Sequence, residues 1–366
     1  MKIAILGTRG IPNHYGGFEQ FAEYLSEGLY KAGFDVTVYN SHTHPYQDAN
    51  WRGVKIIHCY DPETKLGTIG QFVYDLNCIM DSRRRNFDII LQLGYTSSSI
   101  WFNLQAKSKT IVTTNMDGLE WRRTKYSNRV KQFIKYAEGL AVKRSHHLIS
   151  DSTGIQNYLQ DTYNASSTYI PYGAHVFSSP DKGVLSDFKL TPYSYNLLIA
   201  RLEPENSIEV ILDGVSKSTS KTQFLVIGKD NSKYGLFLKE KYKLDSNIHF
   251  VGGVYDINKL NNLRYYSKLY FHGHTVGGTN PSLLEAMSSS AFICAHNNIF
   301  NKSILGEDAF YFENSLDVIN IISDSFDKKD IEIIDKTNNN LDKISKLYSW
   351  PIIIDQYINH FKSISS

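Results

Sequence analysis

The sequence predicts an α/β protein of two tandem domains, each a doubly wound parallel sheet, facing each other across a cleft. Three observations carry this. Short apolar runs ending in glycine alternate with stretches of helical periodicity from the first residues onward. The alternation lapses over residues 178–194 into Ser, Pro, Asp, Lys and Gly, and then begins again. Parallel strands need crossover helices between them, so this rhythm reads as βα units rather than hairpins. The length of 366 residues suits two domains, and 42% apolar residues suffice for two cores.

Lys2–Gly7 reads as a buried strand, residues 8–17 as a loop, and Phe18, Phe21, Ala22, Leu25 and Leu29 as one helix face ending at Gly33. Strands follow at Asp35–Asn40, Val54–Cys59, Phe87–Gly94, Lys109–Asn115, His146–Ser152 and Thr168–Tyr172. The second half gives strands at Asn196–Arg201, Gln223–Gly228, Asn247–Gly252, Leu269–His272 and Ala291–Ala295, then a helical tail from about residue 328. The domains are therefore residues 1–178 and 195–349, joined by a linker at 179–194. In open α/β sheets ligands bind at the carboxyl ends of the strands.

A formal charge of +2 gives no general pull toward nucleic acid. Cys59, Cys78 and Cys294 are odd in number and far apart, which fits a reducing compartment. The apolar start is too short for a secretory signal, and no run of about 18 apolar residues exists. A cytoplasmic location is expected, with peripheral contact at the inner face of the cell membrane. The motive for that contact is residues 121–145, which hold eight Lys/Arg and one acid, Glu138. Val130, Phe133, Ile134, Ala137 and Ala141 mark an apolar helical face there, with Lys131 and Lys135 opposite. A solvated basic face and contact with an anionic membrane or a lipid diphosphate are the two readings.

Four segments carry candidate chemistry. In His272–Met287 a strand ends, a glycine-bearing loop follows, and Pro281 opens a helix. Backbone N–H groups there suit a diphosphate, and Glu285, one turn in, suits sugar hydroxyls; an ordinary loop and helix cap is the competing reading. In Ala200–Asn206, Arg201 stands at a strand end where it can grip phosphate, or pair with Glu203 or Glu205. Gly7–Glu19 lacks the dinucleotide glycine spacing, yet Gly16-Gly17 at the helix start lets a phosphate or sugar approach. In Asn115–Arg123, Asp117 or Glu120 is a candidate acceptor-side base or hydroxyl anchor, with Trp121 beside them; helix capping by Asp117 competes. No histidine spacing for a metal occurs.

On these segments the chain resembles glycosyltransferase family 4, a retaining family of the GT-B fold. Gly277–Glu285 is similar to its donor loop, in which two glutamates stand eight positions apart. Glu285 matches the second, and Gly277 replaces the first. Arg201 matches the arginine of the family's phosphate pair, with Asn206 in the lysine's place and Asn115 where many members have histidine. The wording GTRGIPxxYGGFE, DGLEW, RLEPEN and HTVGGTNPSLLEAM resembles the bacterial rhamnosyltransferase branch that builds capsule, O-antigen and cell-wall polysaccharides. Tyr348–Pro351 resembles the family's late Trp before a final helix, about 350–366, that completes the first domain.

The resemblance implies a retaining transfer of L-rhamnose from dTDP-L-rhamnose to a lipid-linked saccharide acceptor. It implies donor contacts from Gly16, Gly17, Arg201, His274, Gly277, Gly278, Thr279, Asn280 and Glu285. It implies acceptor-side contacts from Asn115, Asp117, Glu120 and Trp121. Arg201 stabilises the leaving diphosphate, and neither metal nor cofactor is called for. Another nucleotide sugar, a nucleotide-sugar epimerase and a non-catalytic polysaccharide-assembly partner remain the alternatives.

Overall fold

The computed structural model describes residues 1–14, 16–105, 109–324 and 330–365; Tyr15 of the first loop motif and Ser366 of the last helix lie outside them. The chain forms two compact units. One comprises residues 1–122, 126–172 and 350–366, the other residues 123–125 and 173–349.

The first unit holds strands β1 (Lys2–Leu6), β2 (Asp35–Ser41), β3 (Asn50–Trp51), β4 (Val54–Cys59), β5 (Ile89–Leu93), β6 (Ile111–Asn115), β7 (His147–Ser150) and β8 (Thr168–Tyr169). Their order is β3-β4-β2-β1-β5-β6-β7-β8, parallel except for the β3–β4 pair. Ile3, Ala4, Ile5 and Leu6 are all fully buried. Helices cover both faces of a parallel sheet, so its central strands are apolar without alternation. The helix Trp350–Ile364 belongs to this unit, where the Phe21 ring packs 6.0 Å from Trp350 and 5.4 Å from Tyr357.

The second unit holds β9 (Tyr195–Ile199), β10 (Gln223–Ile227), β11 (Ile248–Gly252), β12 (Leu269–His272), β13 (Ile293–His296) and β14 (Phe310–Phe312), all parallel in the order β11-β10-β9-β12-β13-β14. The short strands β3 and β14 have too few residues to show a sequence period. The stretch read as a linker is instead built into this unit. Lys182–Phe188 forms a short 3-10 helix, capped where Asp181 accepts the Gly183 N–H, and Leu185 is buried. One buried leucine in a polar segment escapes periodicity.

In each sheet the strand order reverses once, between β1 and β5 and between β9 and β12. Crossovers leave those two points in opposite directions, which opens a crevice at the strand ends.

The basic segment departs from its expected form. In the helix Asn128–Arg144, Ile134, Ala137 and Ala141 are buried, while Val130 and Phe133 are exposed. Lys135 is not a solvated base. It pairs with buried Glu138 at 2.7 Å, and its ammonium lies over the rings of Trp121, Tyr158 and Tyr163 at 4.6–5.0 Å. Glu138 also accepts hydrogen bonds from the Tyr158, Tyr163 and Tyr95 hydroxyls. A buried carboxylate needs such donors, and it draws the lysine inward. Among the described residues no helix is long and apolar enough to cross a membrane.

Candidate active site

The second unit gathers the strongest set of candidate residues at the reversal point of its sheet. Pairing of β9 with β12 (Phe271 opposite Leu198) brings the segment after Ile199 beside the segment after His272. Arg201 is exposed there. Its carbonyl accepts the Asn206 side-chain amide at 2.7 Å. Asn206, 5% exposed, is thus spent on shaping the Arg201 turn. Glu205 does not pair with Arg201. Its carboxylate accepts the Thr124 hydroxyl at 2.7 Å and lies 3.7 Å from Arg123.

The loop after β12 is pinned by three groups. The Glu205 carbonyl accepts both the N–H and the hydroxyl of Thr275, at 3.0 and 2.8 Å. Asn298 and Asn301 each donate to the His274 carbonyl. Gly273 passes so close to the Asn206 carbonyl that a Cβ there would sit 2.1 Å from its oxygen. Only glycine lets the two strand ends approach. Gly277 has φ +131° with open space where a Cβ would be. That conformation is strained for any side chain, which gives a backbone reason why glycine stands where the resembling family has glutamate.

The helix Pro281–Ser288 begins more fully satisfied than the sequence implied. Asn280 is its N-cap and accepts the Ser282 N–H at 2.9 Å, and its own carbonyl takes the Leu283 N–H at 3.0 Å. Pro281 has no N–H to offer. Thr279 is buried, at 3% exposure. The helix dipole still favours an anion at this end, while the N–H groups of its first turn are committed to the cap.

Glu285 is half-buried and held by Arg264, whose Nη2 donates to Oε2 at 2.6 Å. Arg264 is 1% exposed and also reaches Ser282 at 3.2 Å and Asn261 at 2.9 Å. Tyr270 shares Ser282 at 2.9 Å. Sequence reading missed Arg264. Its signal was an arginine in register with Leu260 on the buried face of the helix Ile257–Tyr265, a place where an unpaired charge is costly.

His272 and His274 stack with ring centres 4.4 Å apart. Burial, then the charges of Arg201 and Arg123, push the His274 imidazole down to about 3. Burial and neighbouring His274 and Arg264 hold His272 well below its ordinary value. Both rings are therefore neutral at pH 7, beside two arginines. The positive charge beside these rings is carried by the arginines, the kind a diphosphate would meet.

The remaining predicted residues lie in the first unit. Gly16 is the N-cap of the helix Gly17–Lys31, without a capping side chain, and Glu19 in its first turn accepts the Arg9 N–H at 2.9 Å. Asn115 is buried: its Oδ1 accepts the Asp117 N–H at 3.0 Å, and its Nδ2 donates to the Tyr357 hydroxyl at 3.3 Å. It therefore sets the turn in which Asp117 takes φ +48°. Glu120 and Trp121 lie in the short helix that follows, and the Arg122 guanidinium and Lys135 ammonium stand 5.2 and 5.0 Å from the centre of the Trp121 ring.

A family profile described as a domain of unknown function (DUF1972) matches residues 1–175. No curated protein matches the chain by sequence. Among solved structures, sucrose-phosphate synthase from Thermosynechococcus elongatus is similar at TM-score 0.79 and 15% identity, covering 99% of this chain and 98% of its own. Anabaena HepE in complex with UDP-glucose is similar at TM-score 0.77 and 14% identity, over 99% of this chain and 100% of its own. S. aureus TarM, in complex with UDP and α-GlcNAc-glycerol among other ligands, is similar at TM-score 0.70 and 11% identity, over 98% and 99%. The fold is the two-sheet α/β fold of GT-B glycosyltransferases.

Proposed function

We propose that the chain is a retaining glycosyltransferase that moves L-rhamnose from dTDP-L-rhamnose onto a saccharide acceptor during bacterial polysaccharide synthesis. One observation carries the donor side of this reading. Arg201 and the pinned loop of residues 273–280 follow the two strands at the reversal point of one sheet, Glu285 stands in the helix which that loop opens, and Arg201 and Arg123 are both close enough to His274 to perturb it. Two arginines neutralise a diphosphate, and Glu285 accepts hydroxyls of the nucleoside sugar. Charge that builds on the leaving diphosphate is met by Arg201 and by the dipole of the helix Pro281–Ser288. The same charges make transfer independent of added metal, so EDTA leaves the rate unchanged.

The complexes of UDP-glucose with HepE and of UDP with TarM support a nucleotide-sugar donor for a chain of this fold. The choice of rhamnose rests on the motif wording and on Asn115, Asn206 and Gly277. With a deoxyribose donor Glu285 grips the 3′-hydroxyl. Asp117, Glu120 and Trp121 make up the acceptor side, where Asp117 or Glu120 orients the attacking hydroxyl, and buried Asn115 serves it by setting the Asp117 turn. No enzyme nucleophile is required if the acceptor attacks from the face the diphosphate leaves. Peripheral membrane contact through residues 121–145 would bring a lipid-linked acceptor near. It uses exposed Val130, Phe133 and Tyr136 with Arg129, rather than Lys135.

The test is incubation with dTDP-L-rhamnose and a lipid-linked GlcNAc acceptor, read by mass spectrometry and anomeric NMR. A rhamnosylated product with retained configuration is expected. Hydrolysis alone, or transfer from UDP-glucose in preference, would displace the rhamnose assignment.

A further inference from the structure

We infer that a cluster of four aromatic rings at the amino ends of β9 and β12, centred on Tyr193, is a non-catalytic binding surface for a neutral saccharide chain. The surface lies away from the proposed active site. Tyr193 and Ser194 directly precede β9, and Tyr265 and Tyr266 stand shortly before β12. Arg201 and His274 follow the carboxyl ends of the same two strands. Those strands run five and four residues, so about 13–17 Å of sheet separates the two places. Only the identification of that chain as the enzyme's own polysaccharide rests on the transferase reading.

The backbone puts a ring where the turn asks for none. Thr191–Ser194 is a turn in which the Thr191 carbonyl accepts the Ser194 N–H at 3.3 Å and the Ser194 hydroxyl at 2.7 Å. Pro192 holds the second position, and Tyr193 takes the third with φ +61°. A turn with proline second and a positive φ third is one that glycine or asparagine fills. A bulky side chain is strained in it. The Tyr193 N–H donates to the Tyr266 carbonyl at 2.8 Å, which holds the turn against the end of the helix Ile257–Tyr265. Full burial does not offset the strain, because Tyr193 stays 41% exposed. Strain kept at a solvent-facing aromatic points to a use for its ring.

The rings and the charge balance narrow the ligand class. Phe177 meets Tyr265 at 6.2 Å between ring centres, Tyr265 meets Tyr266 at 4.9 Å, and Tyr266 meets Tyr193 at 6.0 Å. Their planes cross at 52–82°, so the cluster turns both faces and edges outward. Phe177, Tyr265 and Tyr266 are half-buried, and three of the four rings carry a hydroxyl. Residues 175–178, 191–195 and 265–268 hold one full charge, the half-buried Lys268, and one imidazole, His175. An anionic membrane or a nucleic acid is drawn by clustered cations, which these stretches do not supply. Val176 is their one branched aliphatic residue, which is little for a hydrophobic anchor. A saccharide chain brings no charge to desolvate. Its C–H faces lie on aromatic rings, and its hydroxyls bond to phenol oxygens.

The experiment uses the full chain without nucleotide. Maltohexaose, cellotetraose and chitotetraose are titrated by saturation-transfer difference NMR, and dTDP is titrated separately by calorimetry. At least one oligosaccharide is expected to bind in the millimolar range or tighter. Tyr193→Asn, which suits the positive φ, should weaken it about fivefold or more with the melting temperature unchanged or raised. Tyr193→Phe keeps the ring and should hold binding within about twofold of wild type. Binding of dTDP should change less than about twofold in both. The inference is overturned if no oligosaccharide binds wild type by about 10 mM, or if Tyr193→Asn binds as wild type does. It is overturned equally if that variant keeps oligosaccharide binding and instead splits a wild-type dimer in sedimentation, which would make the face a contact between copies. Loss of oligosaccharide binding in Tyr193→Asn, in a chain that binds no dTDP, would leave this surface standing and remove the donor assignment instead.

Discussion

The two sheets reverse their strand order in the same way, yet their mouths carry opposite chemistry. At β1/β5 the wall of a cavity at the strand ends offers Asp61, Glu63, Asp75 and an orphaned Gln92 oxygen, with one arginine already paired. At β9/β12 it offers Arg201 and Arg123 around two neutral imidazoles, with a glycine loop and a helix start. Topology makes a crevice in both places. Side chains decide what each can hold. The acceptor-rich mouth suits hydroxyls, and the cationic mouth suits a diphosphate. The proposed transfer needs both kinds of site.

The largest expected effect tests the cationic mouth. Arg264→Leu removes a fully buried guanidinium and with it one partner of Glu285, and should destabilise the protein by about 3 kcal/mol, read by thermal melting. If Arg264 positions Glu285, Arg264→Lys should recover part of the dTDP affinity. A variant that melts early yet binds dTDP as wild type does would make Arg264 purely structural.

The pH dependence separates the two mouths by sign. His272 and His274 are held neutral, with folded pKa values below the unfolded value near 6.5. Below that pH the unfolded chain binds protons that the folded chain refuses, so stability falls as pH drops from about 6.5 toward the folded value of about 3. Asp75 behaves in reverse. Burial lifts it to about 7, against the Ser97 hydrogen bond and the Arg9 charge and with help from Asp61. Between its unfolded value near 3.9 and about 7 the unfolded chain releases a proton the folded chain keeps, so stability falls as pH rises through that window. Urea titrations across pH should show Asp75→Asn flattening the neutral-side decline and His274→Asn the acid-side decline. Identical slopes in both variants would erase the contrast.

Smaller effects refine the picture. Arg201→Ala or Glu285→Ala should lower transfer by at least about tenfold, or 1.4 kcal/mol, while leaving oligosaccharide binding at Tyr193 intact. Unchanged turnover in both would refute the donor assignment. Asn280→Ala removes the cap from the Ser282 N–H and should cost about 1 kcal/mol in melting experiments. A null result there would mean water replaces the cap.

Much of the fold was legible in the sequence because it rests on local chemistry. Strands β1, β2, β4 and β12 declared themselves by apolar runs, and Pro281 and the glycines near it announced the loop and helix start. The strands of two or three residues were too short to show a period. Arg201 and Glu285 stood out as candidates because one follows a strand end and the other lies one turn into a helix opened by Pro281. Arg264, Arg123, Asn298 and Asn301 were not, because each acts on a partner distant in sequence and their spacing carries no mark. The segment 179–194 misled because its polar composition hides the buried Leu185.

By itself, then, the sequence determined two α/β halves and the chemistry of the loops at their strand ends, since periodicity, glycine and proline act on neighbouring residues. Only the tertiary structure decided which of those groups remain available. It turned Asn206 and Asn115 inward to hold turns, committed Asn280 to a cap, drew Lys135 onto Glu138, and set Asp75 and Gln92 around a cavity. Hydrogen bonding and burial join residues far apart in the chain, and no local pattern records them.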